Sequence, residues 1–149
     1  MSVNKKEVIV DTGFMVGLFH QKDSHHANAT AWEFNYGEEY EFISTELVIQ
    51  EIFWLLKNRV NYEQAVAFAN IVNEEIKLIT LPVGWHTIGV PILRKFENLK
   101  LDLADLSLIF LAEQVEHGRI LTVDVRDFSC LTWGSEKKRF ENLLYPKFP

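Results

Sequence analysis

Acidic side chains occupy positions in this sequence where an ionised carboxylate is normally disfavoured. Asp11 and Asp124 each follow a short apolar run that predicts a buried strand. Glu51 lies in the apolar helical segment LVIQEIFWLL, and Asp105 lies in LDLADLSLIFLA. A carboxylate beside an apolar core is costly unless it is paired, hydrogen-bonded or bound to a cation. Because grouped carboxylate oxygens suit Mg²⁺ or Mn²⁺, the pattern indicates a metal site that could activate water and neutralise a phosphodiester.

Each acid also has a purely structural explanation. Glu51 could reach water from the edge of an apolar stripe, and Asp102 could cap a helix together with Asp105. Asp124 and Asp127 could belong to a polar turn after a strand. As a set the acids are more informative, since six of them account for the whole excess of 21 acidic over 15 basic residues and so for the net charge of −6. These six are Asp11, Glu51, Asp102, Asp105, Asp124 and Asp127.

The acids can converge only if the strands that precede them are neighbours in one sheet. Apolar runs predict strands at 8–10, 40–43, 77–81 and 119–123, with a last edge strand at 140–144. Helical patterns are predicted at 14–20, 25–36, 46–58, 62–75, 83–98 and 103–117, with a turn at Thr12 and Gly13 and a kink or break at Pro91. Alternating strands and helices predict a parallel sheet with right-handed crossovers, whose carboxyl edge is the usual place for ligands.

The length, composition and missing motifs limit the domain organisation and the functional classes that this sequence allows. The length of 149 residues fits a single domain over 1–149, and the single cysteine, Cys130, excludes an intrachain disulfide. We expect a cytoplasmic protein, because no secretory signal and no apolar run of about 18 residues is present. Glycine-rich phosphate loops, zinc-type His or Cys spacing and a G-x-S-x-G elbow are absent from the sequence. The negative charge argues against general coating of nucleic acid, although a bound metal would make an acidic pocket attractive to phosphate.

Four segments in order resemble the acidic motifs of PIN-domain ribonucleases: VDTGFMVGLF, TELVIQEIFWLL, LDLADLSLIFLAEQ and ILTVDVRDF. The similarity runs from about residue 8 to residue 128 and looks most like the toxins of VapBC-type toxin–antitoxin pairs. It implies an α/β fold, a PIN-like α/β/α sandwich with a central parallel sheet in order 3-2-1-4-5 and helices on both faces. It also implies a Mg²⁺- or Mn²⁺-dependent endoribonuclease.

Carried over residue by residue, the resemblance makes Asp11, Glu51, Asp105 and Asp124 the catalytic and metal-binding acids. Asp102 and Asp127 match positions that vary within the family and are candidates for further metal ligands. Thr12 matches a small hydroxyl residue often found beside the first acid, and Gly13 stands where Ser or Asn is also common.

The predicted partners are an RNA substrate, a cognate antitoxin protein and a second copy of the chain, with no membrane. The helices at 46–58 and 62–75 carry more apolar surface than one sheet face can cover, which predicts a two-fold homodimer through them. The apolar residues concerned are Ile49, Phe53, Trp54, Leu56, Val66, Phe68 and Ile71. Candidates to hold RNA phosphates are Lys57, Arg59, Arg94, Lys95 and Arg126.

Two other function classes remain open from the sequence. A non-catalytic PIN module that binds RNA or a partner protein would lack metal-dependent cleavage. A phosphatase of the haloacid dehalogenase type also begins with an Asp after its first strand. That type needs a second Asp two residues later, where this sequence has Gly13.

Overall fold

A five-stranded parallel sheet forms the centre of the molecule. The computed structural model describes residues 4–146, so the outermost residues of the predicted domain, 1–3 and 147–149, lie outside it. The sheet strands are β1 (Lys6–Val10), β2 (Tyr40–Ser44), β3 (Ile76–Leu78), β4 (Arg119–Leu121) and β7 (Glu141–Asn142). Their order is β3-β2-β1-β4-β7, and every neighbouring pair is parallel. The predicted order 3-2-1-4-5 is confirmed, because β7 is the fifth strand of this sheet.

Helices surround the sheet and connect its strands. In chain order they are α1 (Thr12–Phe19), α2 (His26–Tyr36), α3 (Glu46–Arg59), α4 (Tyr62–Glu75), α5 (Trp85–Ile88), α6 (Val90–Lys95), α7 (Leu103–Val115) and α8 (Val125–Cys130), with 3₁₀ turns at Gly37–Glu39 and Glu97–Leu99. Helix α1 packs against α2 and α3, and α3 packs against α4 and α7. Within residues 4–146, no helix is both long and apolar enough to cross a membrane.

The central strands are buried on both faces, as their unbroken apolar sequence predicts. The side chains of Val8, Ile9 and Val10 in β1 are inaccessible to solvent, and so are Ile120 and Leu121 in β4. Burial of each aliphatic side chain of this kind stabilises the fold by roughly 1.5–3 kcal/mol. This packing fixes the ends of β1 and β4, and with them the positions of the acids that follow.

The first helix begins earlier than the sequence suggests. Thr12 and Gly13 are the first two residues of α1 and not a turn, because the Asp11 side chain caps the helix directly after the strand. A Cβ on Gly13 would overlap Val123 Cγ2, so glycine allows the start of α1 to approach the end of β4. Gly13 stands where Ser or Asn is also common in the family that the sequence resembles, and a side chain here would require Val123 to move.

Other boundaries also differ from the prediction. Strand β3 is shorter than 77–81, and the predicted helix at 83–98 consists of two short helices separated at Gly89 and a 3₁₀ turn. The break falls at Gly89, where a Cβ would lie 2.6 Å from Leu106 Cδ2 of α7, while Pro91 sits in the first turn of α6. The sequence did not predict α8 or the small antiparallel hairpin of β5 (Thr132–Trp133) and β6 (Lys138–Arg139).

Candidate active site

Asp11 lies at the carboxyl end of the central strand and is held by two hydrogen bonds. Its Oδ1 accepts from the backbone N–H of Thr12 at 2.7 Å, and its Oδ2 accepts from the Thr122 hydroxyl at 2.7 Å. The residue is only 7% exposed. Burial raises the pKa of Asp11 to about 6; the two hydrogen bonds oppose this rise, and the negative charges of Glu51 and Asp124 add to it.

Thr122 connects the first acid to the last. The fully buried hydroxyl donates to Asp11 Oδ2 and accepts the backbone N–H of Asp124 at 3.0 Å. The amide of Asn142 in β7 donates to the Thr122 carbonyl at 3.0 Å, which holds this backbone from the other side. Sequence reasoning missed Thr122, although a polar residue directly after the strand RIL was a usable signal.

Glu51 reaches the same region from α3. Burial raises the pKa of Glu51, the nearby Asp102 adds to this rise, and the Thr12 hydroxyl lowers it. Thr12 Oγ1 is buried and makes no hydrogen bond of standard geometry, so it lies near the Glu51 carboxylate without satisfying it. An unsatisfied buried hydroxyl beside a carboxylate is unusual in a purely structural setting.

Asp102 and Asp105 form a capping box at the start of α7. Asp102 Oδ1 accepts from the Asp105 N–H at 2.8 Å, and Asp105 Oδ2 accepts from the Asp102 N–H at 3.2 Å. The structural explanation for this pair is therefore confirmed. The capping explanation is incomplete, because burial raises the pKa of Asp105 to about 8. The charges of Asp102 and of Asp11, which is distant only in the sequence, add to this rise.

Asp124 and Asp127 lie at the start of α8, a helix that the sequence did not predict. Asp124 is the N-cap, and its Oδ1 accepts from the Asp127 N–H at 3.2 Å. Burial raises the pKa of Asp127, the charge of Asp124 adds to the rise, and Arg126 lowers it. The segment that could have been a polar turn is thus a helix start, and Asp124 lies close enough to Asp11 to raise its pKa.

The structure brings the six acids into one electrostatically connected group. Asp11 interacts with Glu51, Asp105 and Asp124, while Asp102 lies next to Glu51 and Asp105, and Asp127 lies next to Asp124. Within residues 4–146, no three His, Cys, Asp or Glu side chains are close enough to hold a metal ion as they stand. The donors nevertheless fit a hard cation, because they are all oxygens, their charged forms repel one another, and the Thr12 hydroxyl beside them makes no hydrogen bond of standard geometry.

The basic residues predicted to hold RNA phosphates are dispersed. Arg126 is exposed and lies beside Asp127, close to the acids. Arg94 is exposed and pairs with Glu97 at 3.9 Å. Arg59 lines a separate cavity with Lys22 beyond the end of α1, away from Asp11 at its start.

Two further basic residues, Lys57 and Lys95, were also predicted to hold RNA phosphates. Lys57 is exposed in the last turn of α3, and the Lys95 ammonium lies 5.2 Å from the centre of the Phe96 ring.

The apolar surface predicted on α3 and α4 is partly buried and partly exposed. Leu56 and Phe68, which the sequence placed among the apolar residues of these helices, belong to the buried core. Trp54 and Val66 are exposed, and Ile49, Phe53 and Ile71 are partly buried.

Comparisons with known proteins agree with this architecture. A family model described as the PIN domain matches residues 8–130. Among solved structures, VapC20 of Mycobacterium tuberculosis, described as a sarcin–ricin loop cleaving toxin, matches with a TM-score of 0.71 and 17% sequence identity, over 80% of this chain and 91% of that chain. A search of curated proteins finds no match. The likeness to VapC20 at this identity shows a shared fold.

Proposed function

The chain belongs to the PIN-domain family, and on that basis we propose that it is a metal-dependent endoribonuclease that hydrolyses RNA phosphodiester bonds. The observation that carries the proposal is the environment of Asp11. Its buried carboxylate lies at the end of the central strand, held by Thr12 and Thr122 and in electrostatic contact with three other acids. A fold gains no stability from gathering like charges in this way, so a ligand-binding role is the better explanation.

The residues that would hold Mg²⁺ or Mn²⁺ are Asp11, Glu51, Asp105 and Asp124, with Asp102 and Asp127 beside them. Such a cation, when bound, supplies charge neutralisation at the phosphodiester and lowers the pKa of water. The hydrogen bonds of the protein hold these acids in place before a cation binds. Thr122 fixes Asp11 relative to Asp124, and the capping box fixes Asp105.

Glu51 has the best position to accept a proton from the attacking water. Among the four acids it is the one that receives no backbone hydrogen bond within residues 4–146, whereas Asp11, Asp105 and Asp124 each accept one. Its carboxylate interacts with the side chains of Thr12 and Asp102, and no backbone N–H in the described residues fixes its orientation. A carboxylate with a raised pKa is a better proton acceptor than an ordinary one.

In the cell, we propose that the chain acts in the cytoplasm as the toxin of a toxin–antitoxin pair. The support is the motif resemblance together with the shared fold of VapC20, which is described as a toxin. A cognate antitoxin protein and a homodimer through α3 and α4 belong to the same proposal. Tyr62 and Val66 of α4 are 62% and 43% exposed and could supply apolar contact surface.

The test is cleavage of total bacterial RNA by the purified protein with Mg²⁺, with Mn²⁺ or with EDTA. We expect cleavage that requires the cation and that falls by at least about 100-fold in Asp11→Asn. Glu46→Gln, which changes an exposed acid in the first turn of α3, is the matched control and should cleave normally. Cleavage in EDTA, or full activity of Asp11→Asn, would contradict the proposal. Binding of RNA without any cleavage would favour the non-catalytic module.

A further inference from the structure

An apolar cavity of about 680 Å³ adjoins the acidic group, between α3 and the start of α7. Its walls include Leu47, Trp54 and Leu55 from α3 and Leu103 from α7. Glu51 and Asp102 form part of the same walls and also belong to the acidic group. The cavity therefore borders the proposed catalytic centre.

Trp54, in the wall of this cavity, exposes an unusually large fraction of its surface. Its exposed fraction is 60%, whereas Trp32 and Trp133 are exposed by 6% and 8%. Leu103 on the opposite wall is 45% exposed. Trp54 follows Glu51 by three residues on α3, which places their Cβ atoms about 5–6 Å apart on one helix face. Within residues 4–146 no aromatic ring pairs with the indole of Trp54, and the residue is largely exposed.

We propose that Trp54 is a stacking platform for the nucleobase next to the cleaved phosphate of a single-stranded RNA segment. This inference rests on the proposed function, and it takes Trp54 out of the proposed dimer contact, which then uses other exposed residues such as Tyr62 and Val66 of α4. Aromatic side chains bind unstacked bases of single-stranded RNA through their flat faces, whatever the base. The exposed amide of Gln50, also in the cavity wall, can hydrogen-bond to the edge of a base held there.

The charge of the cavity selects the base over the phosphate. Glu51 and Asp102 repel a phosphate from this wall unless a cation lies between them, but an uncharged base meets no such repulsion. The phosphate and the base of one nucleotide therefore have separate places, the phosphate at the acids and the base on the indole. This arrangement orients the strand across the catalytic centre.

The experiment measures binding in an Asp11→Asn background, so that the RNA survives. The probe is a random pool of single-stranded 12-mer oligoribonucleotides, compared with an abasic ribose-phosphate 12-mer that carries the same number of phosphates. We expect the RNA pool to quench tryptophan fluorescence and the abasic oligomer not to do so. The quench should disappear in Trp54→Phe, because Trp54 is the tryptophan that contacts the base. The other three tryptophans remain in the variant and report any unrelated change.

The kinetic arm uses Trp54→Phe, Trp54→Leu and Trp54→Ala in the active protein. The phenylalanine variant keeps a stacking ring and should cleave RNA nearly as well as the wild type. The leucine and alanine variants should raise the apparent KM for RNA by about 5- to 100-fold with little change in kcat. Phe34→Ala is the matched control, because Phe34 is 89% exposed on α2 and lines a different cavity.

Each outcome decides the inference. Equal binding of the abasic oligomer, or an unchanged KM in Trp54→Ala, would overturn it while leaving the nuclease proposal intact. Wild-type behaviour of Trp54→Leu would mean that the wall serves apolar contact with another occupant, such as a protein segment, and would also overturn it. Absence of any RNA cleavage by the wild type would remove both proposals.

Discussion

Thr122 donates a 2.7 Å hydrogen bond from its buried hydroxyl to Asp11 Oδ2, across the pair of central strands. The charged form of Asp11 depends on this bond, because burial works against the charge. In Thr122→Val, which keeps the shape but not the donor, we expect the pKa of Asp11 to rise. The acid limb of the pH profile of kcat/KM should then move to higher pH, and cation affinity should fall about 10-fold or more.

Thr122→Ser keeps the donor and is the control for this prediction. It should restore both the position of the acid limb and the cation affinity. A Thr122→Val protein with an unchanged pH profile would show that the hydrogen bond has only a structural role.

The stability of the cation-free protein should depend on pH in the direction set by its raised carboxyl pKa values. Asp11 has a usual pKa of 3.8 when unfolded and about 6 when folded. Between these values the folded state retains a proton that the unfolded state has lost, so the free energy of unfolding falls as pH rises through this window. The loss from Asp11 is on the order of 2–3 kcal/mol. Asp105, with a folded pKa of about 8, extends the fall to higher pH.

Thermal unfolding of wild type and Asp11→Asn between pH 4 and pH 8 isolates this effect. His117 acts in the opposite direction, since burial lowers its pKa, but it is common to both proteins. The wild type should lose stability relative to Asp11→Asn as pH rises. Mn²⁺ competes with these protons, so it should raise the melting temperature of the wild type more at pH 8 than at pH 5.5. Parallel curves for the two proteins would contradict the assignment of Asp11 as a raised-pKa group.

Gly13 should not tolerate a side chain while Val123 is present. In Gly13→Ser the new Cβ overlaps Val123 Cγ2, which forces the start of α1 away from the end of β4. We expect a loss of about 1–3 kcal/mol in the free energy of unfolding by denaturant titration, with weaker RNA cleavage. Val123→Ala in the same chain should recover most of the stability, and failure to do so would show that the overlap is not the cause.

Reversing the charges at the end of α3 tests the predicted path of the RNA. The double variant Lys57→Glu and Arg59→Glu should weaken RNA binding and lower the salt slope of the affinity by about one for each phosphate that the protein no longer binds. Cation binding, measured by the melting-temperature shift with Mn²⁺, should stay intact. Arg126→Glu, a change beside the acids, is the comparison. An unchanged RNA affinity in the double variant would place the RNA path elsewhere.

Light scattering during size exclusion tests the proposed dimer. At tens of micromolar we expect twice the chain mass of 17.4 kDa. Val66→Glu should give the single-chain mass, because it places a charge in the apolar surface of α4. Val83→Glu is the control, since Val83 is fully exposed outside both helices. A wild-type protein with the mass of one chain would refute the dimer.

The sequence predicted those parts of the fold that local patterns determine. The apolar run before Asp11 is β-branched and short, and it forms the central strand as expected. The capping pattern of Asp102 and Asp105 was likewise readable, because it depends on residues three apart. The order of the strands came from the motif resemblance, which carries information that periodicity does not contain.

Features that depend on contacts between residues far apart in the chain could not be predicted from local sequence patterns. The need for Gly13 arises from Val123, 110 residues later in the chain. The connecting role of Thr122 depends on the alignment of β1 with β4. In each case the local sequence allowed a turn or an ordinary strand residue, and the tertiary partner selected the observed structure.

Three of the acids, Asp11, Asp102 and Asp124, are also the N-caps of α1, α7 and α8. The same carboxylates thus cap helices and are the acids that we propose for catalysis. A mutation that removes one of these acids outright would cost about 1 kcal/mol of helix capping as well as the proposed chemistry, whereas an asparagine keeps the cap and loses only the charge. At these three positions, an inactive but well-folded relative is therefore expected to carry asparagine, whereas Glu51 caps no helix and is not constrained in this way.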